Sequence, residues 1–142
     1  MTPDQELAWL AGLLEGEGTF FTVRSQPAGC RRSYFYPLVA LGMTDADVVA
    51  RVAGIFGVGW RLVSNTRGKK KYYRTVATGS RAANIMRAIL PFMGERRAAK
   101  IREVLAAYDS RPRSGNTRAS SCALAAHGRL RNERGVFVRT VG

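Results

Sequence analysis

The sequence predicts an α+β domain in which helices cover one face of a four-stranded antiparallel sheet. Three observations carry that reading. Apolar residues recur at helical spacing in four stretches of the chain. Between them stand two pairs of alternating stretches, each pair joined by a short basic connector. The order is therefore helix, hairpin, helix, hairpin, helix, helix, an αββαββα(α) arrangement whose hairpins pair into one sheet. The second face of such a sheet is left to solvent or to a partner.

The first helix opens with Pro3 and Asp4, which suit a helix start. It places Leu7, Leu10, Ala11 and Leu14 on one side. Ala8, Gly12 and Gly16 lie four apart and form a smooth ridge. Glycine inside a helix costs about 1 kcal/mol against alanine, a tolerable cost where another backbone must approach closely. Gly16 and Gly18 equally suit a plain helix end, but Gly12 does not. Thr19 to Ser25 reads as a strand of open facing, because Phe20 and Phe21 cannot both point inward. "PAGCRRS" is a charged turn. "YFYPLVALGM" alternates, with Phe35, Val39, Leu41 and Met43 on one face and Tyr34, Tyr36, Leu38 and Ala40 on the other.

Thr44 opens the second helix, and Thr44 with Asp47 reads as a capping box. Val48, Val52, Ile55 and Phe56 form its apolar stripe, and Gly57 closes it. "VGWRLVSN" and "KYYRTVAT" read as two strands joined by the basic "TRGKKK". Ser80 caps a third helix carrying Ile85, Met86, Ile89 and Leu90, ended by Pro91. "GERRAAKIREVLAAY" is the last helix, with Ile101, Val104, Leu105 and Tyr108 inward. The core domain thus spans residues 1–109. Residues 110–142 form a basic, flexible extension, with a short strand at "VFVRTV".

Charge narrows the partners. The chain has 142 residues, with 23 Lys and Arg against 10 Asp and Glu, a formal net charge of +13. Such an excess fits a polyanion, nucleic acid above all, although an arginine-rich composition alone would also produce it. Two cysteines, Cys30 and Cys122, and the single His127 make neither a disulfide framework nor a structural zinc site. Reduced cysteines are expected. With no secretory leader and no run of about 18 apolar residues, the expectation is an intracellular protein, cytoplasmic or organellar, with no membrane partner.

Against that charge, two acids stand out. Glu15 and Glu17 lie between glycines at the end of the first helix. A carboxylate near a helix C-terminus is opposed by the helix dipole. A hard cation relieves the repulsion, since Mg²⁺ binds through one or two carboxylates and keeps several waters. A solvated glutamate at a helix end is the plainer alternative.

"LAGLLEGEG", Leu10 to Gly18, resembles the LAGLIDADG motif of the homing endonucleases, with Glu in place of Asp at both acidic positions. The element order agrees. "FGVGW" after the second helix and "LPFMGERRAAKI" after the third also resemble the single-motif members, so the resemblance covers Leu7 to Tyr108. It implies a homodimer whose motif helices pack at a two-fold axis through Ala8, Gly12 and Gly16, with Glu15 supporting the interface or helix end. It implies a metal-dependent, site-specific endonuclease that cuts double-stranded DNA at a long pseudo-palindromic site, with Mg²⁺ as cofactor and Mn²⁺ or Ca²⁺ able to replace it for binding. No small-molecule substrate is implied. Glu17 takes the metal position. Asp45 takes the polar position at the start of the second helix, near the catalytic water. Arg96, with Arg97 beside it, takes the basic position that stabilises the transition state. A second basic active-site residue of the family falls on Val49, a departure.

By alternation, the sheet face away from the helices holds Arg32, Tyr34, Tyr36, Trp60, Ser64, Tyr72 and Arg74. There Arg is suited to guanine edges in the major groove. Arg31, Arg67, Lys69, Lys70, Lys71 and Arg97 suit phosphate, which positions without specifying. Packing at a sheet edge would equally explain Trp60. The competing function is a non-cleaving DNA- or RNA-binding protein on the same fold, a repressor or an intron maturase. A basic structural protein of a ribonucleoprotein would need no acidic pair at the helix end.

Overall fold

The computed structural model describes residues 1–26, 28–64, 68 and 70–110, together with the backbone of 129–131 and 137–139. Two units divide the chain: Met1–Val23 with Phe35–Ser110, and Arg24–Tyr34 with Arg111–Gly142. In the first, α1 (Pro3–Glu17), α2 (Ala46–Phe56), α3 (Gly79–Ile89) and α4 (Glu95–Asp109) accompany β1 (Gly18–Ser25), β2 (Tyr34–Met43), β3 (Trp60–Val63) and β4 (Tyr72–Thr78). A 3₁₀ turn at Leu90–Phe92 carries Pro91 between α3 and α4. The four strands form one antiparallel sheet in the order β1-β2-β4-β3.

One core joins helices to sheet. Leu10, Ala11 and Leu14 of α1 meet Phe20 of β1, Val39 and Leu41 of β2, and Ala77 of β4. Val52 and Phe56 of α2, Met86 and Ile89 of α3, and Ile101 and Val104 of α4 close it. Phe20 is therefore the inward member of its pair, and Phe21 takes the opposite face. Ile85, Leu90 and Tyr108, expected inside, are only partly buried against this core. The buried Thr75 is satisfied, because its hydroxyl donates to the Gly59 carbonyl at 3.0 Å.

Register decides the sheet faces. Val39 stands opposite Ala77, Leu41 opposite Thr75 and Met43 opposite Tyr73, so these share the helix side. Leu38, Ala40 and Gly42 stand opposite Thr78, Val76 and Arg74 on the outer side. The expected half-exposed alternation of β2 is not found from Pro37 to Leu41, where every residue is buried. Strand β2 is an interior strand, flanked by β1 and β4. Phe35, read as inward, is 49% exposed.

Caps differ from the sequence reading. Helix α1 is held by a capping box, with the Gln5 amide donating to the Thr2 hydroxyl at 3.3 Å and the Thr2 amide donating to the Gln5 side chain at 2.9 Å. The box expected at Thr44 does not form, because the extended chain runs one residue further and Asp45 becomes the N-cap, with no side-chain capping bond. At α3, Gly79 turns the chain at φ +66°, so Thr78 and not Ser80 precedes the helix.

In the second unit, Arg24 donates to the Ser33 hydroxyl at 3.1 Å, and the Gln26 side chain donates to the Cys30 carbonyl at 3.2 Å. Cys30 is buried and disulfide-bonded, which corrects the expectation of reduced cysteines. Arg129–Arg131 pairs antiparallel with Phe137–Arg139, at the strand read in "VFVRTV".

The helix-to-strand junction gives a direct test. The Gly18 amide donates to the Leu14 carbonyl, and a Cβ at Gly18 would lie 2.5 Å from that oxygen. Gly18→Ala should therefore destabilise the fold by about 1–3 kcal/mol, as overpacking does. Urea unfolding should show a lower midpoint at unchanged slope. An unchanged midpoint would mean that the junction relaxes freely.

Candidate functional site

Two helix ends of opposite polarity meet in the first unit. The C-terminus of α1 carries unpaired carbonyls and partial negative charge, and the N-terminus of α4 carries unpaired amides and partial positive charge. The Glu15 carboxylate accepts from the Gly94 amide, the N-cap of α4, at 3.0 Å. The Arg97 side chain donates through Nε to the Glu15 carbonyl at 3.1 Å. Each end thus receives a counter-charge from the other helix. Glu17, the last residue of α1, and Arg96, in the first turn of α4, are both exposed beside this clasp. Arg96, Arg97 and Lys100 line a shallow, open depression with Ala99 and Glu103.

Asp45 lies at the same end of the sheet. Strand β1 starts directly after Glu17, and β2, its hairpin partner, ends at Met43, two residues before Asp45. Its carboxylate is exposed and takes no capping bond, so it is uncommitted to its own helix. Met43 stands opposite Tyr73, which brings the start of β4, with Lys70 and Lys71 just before it, to this end as well. Both lysines are exposed. Arg67 and Lys69 lie outside the described residues. So do Cys122 and His127. Arg31 and Arg32, in the second unit, are exposed, and Tyr34 and Tyr36 are half-buried.

The outer sheet face differs from the reading by alternation. Trp60 stands opposite Thr75 and Leu62 opposite Tyr73, so Trp60 belongs to the helix side. Its ring packs edge-on against Tyr73, with centroids 5.5 Å apart. Ser64 lies just past the strand, exposed, and by the same alternation follows Trp60 rather than Arg74. The residue the sequence reading missed is Arg61, which stands directly opposite Arg74 on the outer side. Tyr72 shares that side, its ring close over Gly42. The signal available was the alternation within "WRLV", but its phase is fixed only by the pairing with β4.

Ala8, Gly12 and Gly16 are all exposed, and a Cβ at Gly12 or Gly16 would meet nothing within 4 Å. The ridge is open to a partner backbone. Glu15, expected to support the interface or the helix end, turns to α4 of its own chain. Val49 is fully buried, which explains why no basic residue stands there. Arg51, two residues on, lies 4.0 Å from the Trp9 ring centroid. Among the described residues, no three potential ligands gather in one chain. No described helix is long and apolar enough to cross a membrane.

No family model matches the chain, and no curated protein does. Solved structures do. The fold is that of the single-motif LAGLIDADG homing endonucleases. One such structure is the homing endonuclease I-CvuI in complex with the I-CreI target in the presence of Mg, with the DNA not cleaved. Its TM-score is 0.63 at 16% identity, over 87% of this chain and 79% of that one. A second is the archaeal intron-encoded homing endonuclease I-Vdi141I with DNA, at TM-score 0.56 and 17% identity, over 87% and 81% of the two chains. The group I intron-encoded homing endonuclease I-CeuI with DNA has a TM-score of 0.56 at 13% identity, over 77% of this chain and 56% of that one.

Arginines directly opposite on neighbouring strands repel. Arg61→Thr should therefore not lower the stability of the free protein, and should raise it by about 0.2–1 kcal/mol at low salt. The gain should shrink toward 1 M salt, where charges are screened within about 3 Å. Urea titrations at two salt concentrations decide this, and a clear loss of stability would mean that Arg61 is held by a counter-charge.

Proposed function

We propose that the protein is a homodimeric, divalent-metal-dependent endonuclease that cuts double-stranded DNA at a specific, pseudo-palindromic site. The observation that carries this reading is that two clasped helix ends carry the exposed Glu17 and the exposed Arg96, on a fold shared with DNA-bound homing endonucleases.

The donor set suits magnesium better than a metal with an all-protein cage. A lone exposed carboxylate per chain is what Mg²⁺ accepts when water and phosphate oxygens supply its other ligands. Glu17 is the residue that would hold it, and Mn²⁺ or Ca²⁺ could occupy the same oxygen ligands. The ion, when bound, would polarise the phosphate and favour attack by water. The uncommitted carboxylate of Asp45 orients that water. Arg96 neutralises charge building on the phosphate, and its guanidinium keeps its proton throughout. Lys70 and Lys71 hold the backbone. Arg61, Arg74 and Tyr72 face the base edges, with Arg paired to guanine. The open ridge of Ala8, Gly12 and Gly16 packs against its copy in a second chain, so that two such sites serve the two strands.

Glu17→Gln should abolish cleavage while DNA affinity stays within about tenfold, because the lost charge is a metal ligand worth several kcal/mol in catalysis. Wild-type cutting by this variant would sink the assignment. If the wild type binds its site with Mg²⁺ present and leaves it intact, the protein is a non-cleaving DNA- or RNA-binding relative.

Gly12→Leu should give a monomer in sedimentation where the wild type, free of DNA, is a dimer. A wild type that is monomeric at micromolar concentration contradicts the ridge as an interface.

Binding should also weaken with salt. A dimer making on the order of ten phosphate contacts gives a log–log slope steeper than about −6. Lys70→Ala with Lys71→Ala should flatten it and weaken all sequences alike. Arg61→Ala or Arg74→Ala should cost the correct site about 1–3 kcal/mol more than random DNA. Titrations in Ca²⁺ at several salt concentrations separate the two classes, and the reverse pattern would exchange the roles of sheet face and connector.

A further inference from the structure

We infer that Glu15 is a positioning residue, which locks the start of α4 to the end of α1 and so sets Arg96 against Glu17. The inference rests on the endonuclease reading and deepens it.

The first motif acid is not spare. Its carboxylate reaches across 79 residues of sequence to the Gly94 amide, and its carbonyl takes the Arg97 side chain. In both bonds α4 donates and Glu15 accepts, once through a side chain of α1 reaching the α4 backbone and once through a side chain of α4 reaching the α1 backbone. A carboxylate at the N-terminus of α4 and a guanidinium at the C-terminus of α1 each oppose the local dipole charge. Space bears on the arrangement as well: a Cβ at Gly94 would stand 2.9 Å from Glu15 Oε1, so an alanine there must push the carboxylate aside. Glu17 lies two residues beyond one half of this clasp, and Arg96 one residue before the other. Neither group makes a bond of its own in the structure, so their spacing follows from the two helix ends that carry them, which the clasp ties together. Arg97, half-buried and bonded to Glu15, belongs to the clasp first.

The test uses the full chain with four variants: Glu15→Ala, Glu15→Gln, Gly94→Ala and the double Glu15→Ala/Gly94→Ala. Single-turnover cleavage at saturating protein is expected to fall at least tenfold in Glu15→Ala and in Gly94→Ala, with DNA affinity in Ca²⁺ within about threefold of wild type. Glu15→Gln, which keeps an acceptor for the Gly94 amide, should recover most of the rate. The double variant should be no slower than the worse single, because both remove the same contact. Wild-type rates in the two alanine variants overturn the inference, as does a glutamine variant as slow as alanine or a double variant in which the losses multiply. Amide hydrogen exchange at Gly94 provides a readout independent of cutting. It should be slow in the wild type and in Glu15→Gln and fast in Glu15→Ala, and equal rates in all three remove the clasp. A wild type that cuts no DNA while Gly94 is protected by Glu15 ends the endonuclease reading and the positioning role with it, and leaves a structural clasp.

Discussion

Helix α1 passes into β1 with no linking residue between Glu17 and Gly18. That junction sets the geometry of everything near it. The Gly18 backbone folds back onto Leu14, which is fully buried in the core, so the helix end cannot swing relative to the sheet. The last carboxylate of α1 is thereby placed at the edge where the sheet begins. A loop of even a few residues would uncouple the acid from the strands beside it. A glycine is required not for an unusual φ, which is an ordinary −75°, but because no side-chain atom fits against the Leu14 carbonyl.

Most of the architecture was legible because its causes are local. Strand β2 was read at its observed bounds from alternation alone, and α4 within a residue or two from its apolar stripe. The inward residues of α1 are those its spacing names. What could not be read depends on pairing between distant segments. The four residues of β3 alternate in either phase, with a large apolar pair, Trp60 and Leu62, on one side and Arg61 and Val63 on the other. Aromatic residues suit a nucleic-acid face, so the wrong phase looked reasonable, and only the match of Trp60 to Thr75 settles it. The clasp of Glu15 to Gly94 is hidden for the same reason, since a lone glycine before a helix reads as a cap. The expected capping box at Thr44 and the expected cap at Ser80 failed more simply: backbone conformation moved the first cap one residue on, to Asp45, and the second two residues back, to Thr78.

The charges divide into those that serve the fold and those that oppose it. Arg87 pairs with Asp109 at 2.6 Å, Arg81 donates to the Gly57 carbonyl, and Arg97 reaches Glu15. Each closes a helix end or ties two helices. Arg61 and Arg74, by contrast, are set side by side on a sheet face away from the helices. The core beneath can bear such a pairing, because the residues that bury it are apolar and densely shared among four helices and the sheet. A surface that is uncomfortable when empty binds a polyanion with part of the electrostatic work already done.

Gly42 has a consequence for the shape of the outer face. It stands opposite Arg74, and a methyl group there would lie 3.2 Å from Cε2 of Tyr72, tight enough to displace the ring by a few tenths of an ångström without touching the core. The aromatic plane is therefore adjustable in height from beneath. Small residues at position 42 act as shims: they would shift the Tyr72 ring and so reshape the outer face, while the backbone pairing of β2 and β4 stays as it is.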